Sequence, residues 1–380
     1  MKKILYAVTI ALIFLSSCSK TSTLPQAPGN TGGGTTDTIT PPPPVVTGLK
    51  PQLSGLLYRD NIPTNVSSSY QSELDGFVVR ATWKQLQPVA GGPIAPNIID
   101  TAITYARQWN VAHPQQPWHI KIRLYSGALA PDWVKAQFGS VYLKDRVDSL
   151  IGSDNQVVKF WAPGFLNAYA DLINKMAAKY DSIPEIEEVT TPALVTFSAE
   201  PLLRQAYVQN DVTYITNGYT AINDLAEEHQ AIDLLKTWKH TRVSMCFSPY
   251  EYINNDETDS VSLSSTEGLI DYFVQTMGNQ GILENNGLRD STSVLASDFQ
   301  VGGITYAMYQ YMLNYHTTGG IGVMFQTEAG SDIGNLNSTI SQGINFGAAA
   351  IELPDNFGTL ISVTQLQALR PMLKSNAPVN

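Results

Sequence analysis

Gly319-Gly320-Ile321-Gly322-Val323-Met324-Phe325-Gln326-Thr327-Glu328-Ala329-Gly330 reads as a buried strand that delivers one carboxylate, Glu328, to the rim of a pocket. Gly330 and Ser331 turn the chain immediately afterwards. A continuous apolar run bounded by glycine is the pattern of a strand covered on both faces, as in a parallel sheet. Its meaning depends on how many similar runs the chain holds and on what separates them.

Working outward, seven more such runs follow in order. Gly55-Leu56-Leu57-Tyr58 is the first, residues 76–83 the second and 119–125 the third. A fourth falls within 186–197 and leads into Ser198-Ala199-Glu200-Pro201. Residues 242–247 make the fifth, 281–285 a shorter sixth, the opening stretch the seventh and 348–353 the eighth. Helical patterns lie between them. Asn97 is placed to cap a helix carrying Ala102, Ile103, Ala106 and Trp109 at helical spacing, and residues 163–180, 222–238 and 304–315 repeat the pattern. Strands alternating with helices make an α/β protein with a parallel sheet. Eight of them predict a single (β/α)8 (TIM) barrel; a doubly wound open sheet is the structural rival.

At the N-terminus, Lys2 and Lys3 precede an apolar run from Ile4 to Leu15 that is too short to span a bilayer and has the layout of a secretory signal. Its end, Leu15-Ser16-Ser17-Cys18, resembles the lipobox of bacterial lipoproteins. That resemblance implies cleavage before Cys18, a lipid on its sulfur, and an exported protein anchored to the outer membrane rather than spanning it. Residues 19–50 are rich in Thr, Gly, Ser and Pro, with Gly32-Gly33-Gly34 and Pro41-Pro42-Pro43-Pro44. Such a segment buries no core and reads as a disordered tether. The expected division is a signal peptide at 1–17, lipidated cysteine and linker at 18–50, and barrel at 51–380.

The formal charge of −10 argues against nucleic acid and against anionic lipid as partners, leaving the lipid anchor as the membrane contact. The second of the two cysteines is Cys246, so no intramolecular disulfide forms if Cys18 is lipidated. His113, His119, His229, His240 and His316 are scattered without metal-ligand spacing, and no phosphate-cradling glycine loop occurs. A metal or nucleotide cofactor is not expected.

In a barrel, reactive groups gather at the carboxyl ends of the strands. Glu200, closing the fourth, and Glu328, closing the seventh, then meet in one pocket, which is the pair that glycoside hydrolysis needs. Four places resemble the retaining (β/α)8 glycoside hydrolases of the cellulase-like and β-galactosidase-like clan. They are Phe77-Val78-Val79-Arg80-Ala81-Thr82-Trp83, Ala130-Pro131-Asp132-Trp133, Glu200-Pro201 and Glu328. The resemblance implies Glu200 as acid/base, Glu328 as nucleophile, Arg80 beneath the site and Tyr250 or Tyr252 as hydrogen-bond partner of the nucleophile, acting on oligo- or polysaccharides without a cofactor. The clan's asparagine before the acid/base is Ala199 here. Either another side chain replaces it, or the family is a divergent one, or the barrel binds glycan without cleaving it; a structural lipoprotein in which the acids are surface groups is a separate alternative.

Arg80 is expected to pair with a carboxylate, either Glu328 or a structural acid. Glu284 and Glu352 also fall at strand ends and compete for the catalytic role. Trp83, Tyr125, Trp133, Trp161 and Phe357 are candidate platforms for sugar rings, Trp133 first and then Trp161. Asn285, Asn286, Asp355 and Asn356 lie in late loops suited to hydroxyl recognition.

Overall fold

The computed structural model describes residues 45–144, 155–203, 207–290, 300–328 and 330–378. The expected signal peptide, Cys18 and most of the expected tether lie outside them. Eight parallel strands close into a barrel. They are β1 (Gly55–Tyr58), β2 (Gly76–Thr82), β3 (His119–Tyr125), β4 (Ile186–Thr190), β5 (Arg242–Cys246), β6 (Gly281–Leu288), β7 (Gly322–Thr327) and β8 (Ala348–Leu353). Pairing of Gly55 with Ala350 and of Tyr58 with Leu353 joins β1 to β8 and removes both sheet edges. The open-sheet rival is thereby excluded.

Each strand is followed by a helix: α1 (Ser68–Gln71), α2 (Ile98–Ala112), α3 (Phe165–Tyr180), α4 (Ala221–Leu234), α5 (Leu263–Met277), α6 (Ile304–Gly319), α7 (Leu336–Asn345) and α8 (Val363–Ser375). The cap on α2 is the expected one, a capping box in which Asn97 accepts from Ile99 N at 2.8 Å and Asp100 accepts from Asn97 N at 3.2 Å. The helices bury one face each, Phe165, Tyr169, Leu172, Ile173 and Met176 on α3 for example. No helix of the described residues is long and apolar enough to cross a membrane.

Two strands depart from expectation. β4 stops at Thr190 instead of running on to Glu200, because Pro192 has no N–H with which to continue the ladder. β6 runs on to Leu288, past the expected end at Asn285 and through Asn286, which the sequence places in a loop. There the register with β7 shifts between Asn285 and Leu288. Asn285 replaces the lost ladder bonds: its Nδ2 donates to Phe247 O at 2.7 Å, and its Oδ1 accepts from Gly287 N at 2.9 Å and from Tyr309 Oη at 2.6 Å. Two antiparallel hairpins, Ser140–Tyr142 with Gln156–Val158 and Tyr250–Ile253 with Asp259–Ser262, decorate the loops after β3 and β5.

The barrel interior is layered. Leu53, Leu57, Ile282, Met324 and Ala350 form an apolar cluster. Against it sits a charged layer. Lys121 Nζ lies 3.0 Å from Glu188, 2.8 Å from Glu284 and 3.0 Å from Glu352, and Arg123 Nη2 lies 2.5 Å from Glu284 and 2.7 Å from Glu352. All five side chains are buried. Glu284 and Glu352 are therefore interior braces and not competitors for the catalytic role. Burial pulls Lys121 down, but the three carboxylates together hold it above its ordinary value. Burial alone would raise Glu284; Lys121 and Arg123 overcome it and pull the carboxyl down to about 2.

Removing a cation from this layer leaves buried carboxylates without a partner. Lys121→Met is expected to destabilise the fold by about 3–5 kcal/mol, read as a lower urea midpoint at unchanged slope.

Candidate active site at the barrel mouth

Glu328 stands directly after β7, where its sequence context placed it. Its backbone N donates to Leu288 O at 2.8 Å, and Arg59 Nη1 donates to Thr327 O at 2.9 Å and to Glu328 O at 3.3 Å. The main chain is thus pinned by the neighbouring β6 on one side and from the loop after β1. The carboxylate accepts from Arg289 Nη2 at 3.0 Å while remaining 31% exposed, and Arg289 Nε is itself oriented by Gly287 O at 3.3 Å. An ion pair of this kind fixes the carboxylate's direction while leaving it open to a ligand.

Glu200 reaches the same mouth by another route. The chain leaves β4 at Thr190 and runs through a largely buried loop before Glu200. That loop is held down by Ala128 N donating to Thr196 O at 2.8 Å. The adjoining Gly127 has φ +40°, and a Cβ there would fall 2.0 Å from Thr196 O, so the close approach requires glycine. The loop returns Glu200 to a hydrogen bond with Asn286 and within reach of the charges of Arg123, Glu328 and Glu284. Burial pushes the Glu200 carboxyl above its ordinary value. The Asn286 bond and the Arg123 charge restrain the rise, and the charges of Glu328 and Glu284 add to it.

The two acids are therefore bracketed by one short piece of chain at the end of β6, with Asn286 on Glu200 and Arg289 on Glu328. Arg123 supports this piece from below, its Nη2 donating to Asn286 Oδ1 at 3.3 Å and its Nη1 to Gln326. Gln326 Nε2 completes the brace to Asn286 O at 3.5 Å.

Several expected contacts fall elsewhere. Arg80 pairs with Asp60 at 3.3 Å, a structural acid after β1, and the arginine on Glu328 is Arg289. Tyr250 is buried on its hairpin with its hydroxyl on Asp224 Oδ2 at 2.7 Å, so it does not serve the nucleophile, and Tyr252 stacks beside it. Trp161 is buried among Phe160, Tyr214 and Tyr219, with its N–H on Asn217 O at 2.9 Å, and offers no platform. Trp133 is half-buried, edge-on to Trp83, and donates to Gln87 O at 3.0 Å. Trp83, Tyr125 and Phe357 are core residues. Asn285 is committed to the β6 brace, and its neighbour Asn286 faces the site.

Asn286 and Arg289 were findable in part. Strand alternation puts Asn286 on the same face as Glu284, and an arginine just past a strand end is a ready partner for an acid on the next strand. Ala199 is buried beside Glu200 and supplies no polar group, so the amide nearest the acid is Asn286. No cluster of three or more metal-ligating side chains occurs among the described residues.

No protein-family model matches the chain, and no curated protein matches it in sequence. Among solved structures it is similar to the catalytic domain of a beta-amylase from Paenibacillus polymyxa, at 10% identity over 87% of this chain and 99% of that one, with a TM-score of 0.47. It is similar also to an endoglucanase from Pseudomonas stutzeri, at 10% identity over 84% and 93% of the two chains, with a TM-score of 0.44. Endo-glycoceramidase II from Rhodococcus sp. aligns at 11% identity over 85% and 80%, with a TM-score of 0.47. At this identity the likeness concerns the course of the chain alone, and the chemistry rests on the residues at the mouth.

Proposed function

We propose that the protein is a glycoside hydrolase that cleaves O-glycosidic bonds of oligo- or polysaccharides with retention. The observation that carries this reading is the bracketed pair: Glu200, pushed up by burial and by its neighbour's charge, opposite an ion-paired and accessible Glu328. Two carboxylates in different electrostatic states suffice for the reaction without a cofactor.

In the first step protonated Glu200 gives its proton to the leaving-group oxygen as the Glu328 carboxylate attacks the anomeric carbon. The glycosidic C–O bond breaks and a glycosyl ester forms on Glu328. Esterification removes the negative charge of Glu328, one of the influences that raise Glu200. Glu200 is then a readier carboxylate and takes a proton from water, whose oxygen attacks the anomeric carbon and releases Glu328. Arg289 holds the nucleophile in line, and Asn286 with Arg123 behind it holds the acid.

The pattern at residues 1–18 supports, from sequence alone, export and anchoring through Cys18.

Glu328→Gln is expected to lower kcat/KM on a panel of plant, algal and host glycans by at least about 10³-fold; turnover left unchanged would defeat the assignment, and binding without turnover in the wild type would favour a glycan-binding barrel. Glu200→Gln should lose about 10²–10⁴-fold on natural linkages but much less on aryl glycosides whose leaving groups need no proton. Because Asn286 restrains the upward shift of Glu200, Asn286→Ala should raise that pKa further and move the basic limb of the kcat/KM profile to higher pH. In cells fed labelled palmitate, label should enter the wild type and be absent from Cys18→Ser.

A further inference from the structure

The layer inside the barrel does not balance its charges. It holds three carboxylates, Glu188, Glu284 and Glu352, against two cations, Lys121 and Arg123, and all five side chains are at most 1% exposed. One negative charge is left over at a depth where an uncompensated carboxylate takes up a proton instead of staying ionised.

The contacts single out its bearer. Glu284 accepts from Arg123 Nη2 at 2.5 Å and from Thr190 Oγ1 at 3.2 Å, and Glu352 accepts from Arg123 Nη2 at 2.7 Å. Arg123 is thus committed to these two acids, and Glu188 shares Lys121 with both. Lys121 Nζ stands 3.0 Å from Glu188, but an ammonium has three N–H groups and this one has four acceptors around it, the three carboxylates and Met324 Sδ at 3.0 Å. Neither oxygen of Glu188 is in an aligned hydrogen bond. On β5, Arg242 lies opposite Glu188 in the ladder and directs its Nε to Lys50 O at 2.9 Å and its Nη1 to Asn279 O, at the base of the barrel. Glu187, next to Glu188 on β4, faces the other side of the strand and pairs with His119 at 2.8 Å.

Two hydroxyls point the same way. Thr190 gives its proton to Glu284, so in the 2.5 Å contact between Thr190 Oγ1 and Ser244 Oγ the proton belongs to Ser244. Ser244, which adjoins Glu188, therefore turns lone pairs toward it. A carboxylate would face those lone pairs, whereas a carboxylic acid donates to them. One proton on Glu188 extends the row through Ser244 and Thr190 to Glu284, and it balances the layer.

We infer that the barrel interior is a proton-binding site and that Glu188 holds the proton at neutral pH. Burial pushes its carboxyl above the ordinary value; the charge of Lys121 restrains the rise and that of Glu284 adds to it. The consequence reaches the mouth. Ionised Glu188 would compete for Lys121 with Glu284 and Glu352, the two carboxylates that fix Arg123 beneath Asn286.

In the unfolded chain this carboxyl ionises in the ordinary range, at about pH 4.3. Above that pH folding takes up a proton, so Glu188 lowers stability as pH rises, until the folded-state carboxyl itself ionises. Glu188→Gln keeps the shape and a donor and cannot ionise. Urea unfolding of the whole chain should show the ratio of folding constants, variant over wild type, rising about tenfold per pH unit from about pH 4.5 upward and levelling where the folded carboxyl ionises. A ratio independent of pH overturns the inference, whatever the variant's absolute stability. Infrared spectra give a second readout that does not need the variant to fold. At neutral pH, in the Glu200→Gln protein, which lacks the raised carboxyl at the mouth, a carboxylic-acid C=O band that shifts on heavy-carbon labelling of glutamate supports the site, and its absence overturns it. Loss of that band on adding Glu188→Gln supports the residue; its survival there overturns the assignment. Neither measurement depends on turnover, so the hydrolase reading stands or falls separately.

Discussion

Five charged side chains sealed inside the barrel set the terms for the rest of the molecule. Lys121 and Arg123 project inward from one strand, β3, and meet carboxylates from β4, β6 and β8. Each charge is tolerable only while the others are in place, because an unpaired ion at this depth would cost several kcal/mol. The layer therefore specifies which strands face each other across the barrel, something an apolar interior does only weakly. Thr190 and Ser244 complete it, their hydroxyls 2.5 Å apart, with Thr190 donating to Glu284 at 3.2 Å.

Arg123 carries that constraint upward. One end of its guanidinium is locked to Glu284 and Glu352, and the same group reaches Asn286 and Gln326 at the base of the mouth. Asn286 thus inherits its position from the buried layer, and Glu200 inherits its own from Asn286. The two candidate catalytic acids are held by unlike means. Glu328 rides on a strand end whose backbone is pinned by Arg59 and Leu288, whereas Glu200 sits at the end of a long loop and depends on side-chain contacts. Burial raises the loop-borne acid, while the strand-borne carboxylate is held by Arg289 and stays partly exposed. The difference in setting on which the proposed reaction relies follows from these two modes of attachment.

Much of this was visible in the residues. The eight strands, their order and the placement of Glu328 follow from runs such as Gly322 to Thr327, because a strand covered on both faces must be apolar throughout. The limits of β4 and β6 were not visible. Pro192 signals an end, but only the loop's fit against Gly127 shows that Glu200 returns to the barrel. Asn285 and Asn286 read as loop residues past a short strand, and the anchoring of Asn285 by Tyr309 and Phe247 explains why the strand continues. Arg80, Trp161 and Tyr250 carried the right chemistry for a site, yet Asp60, Asn217 and Asp224 had prior claim on them.

By itself the sequence determined the class of fold, the alternation of strand and helix and the presence of an acid at the end of the seventh strand. These are properties of local hydrophobic period and of residues a few positions apart. Tertiary structure alone decided which arginine meets Glu328, which asparagine meets Glu200 and which glutamates are interior braces. Those pairings join positions far apart in the chain, and they are chosen by barrel register and by the need to neutralise each buried charge, neither of which any short stretch encodes.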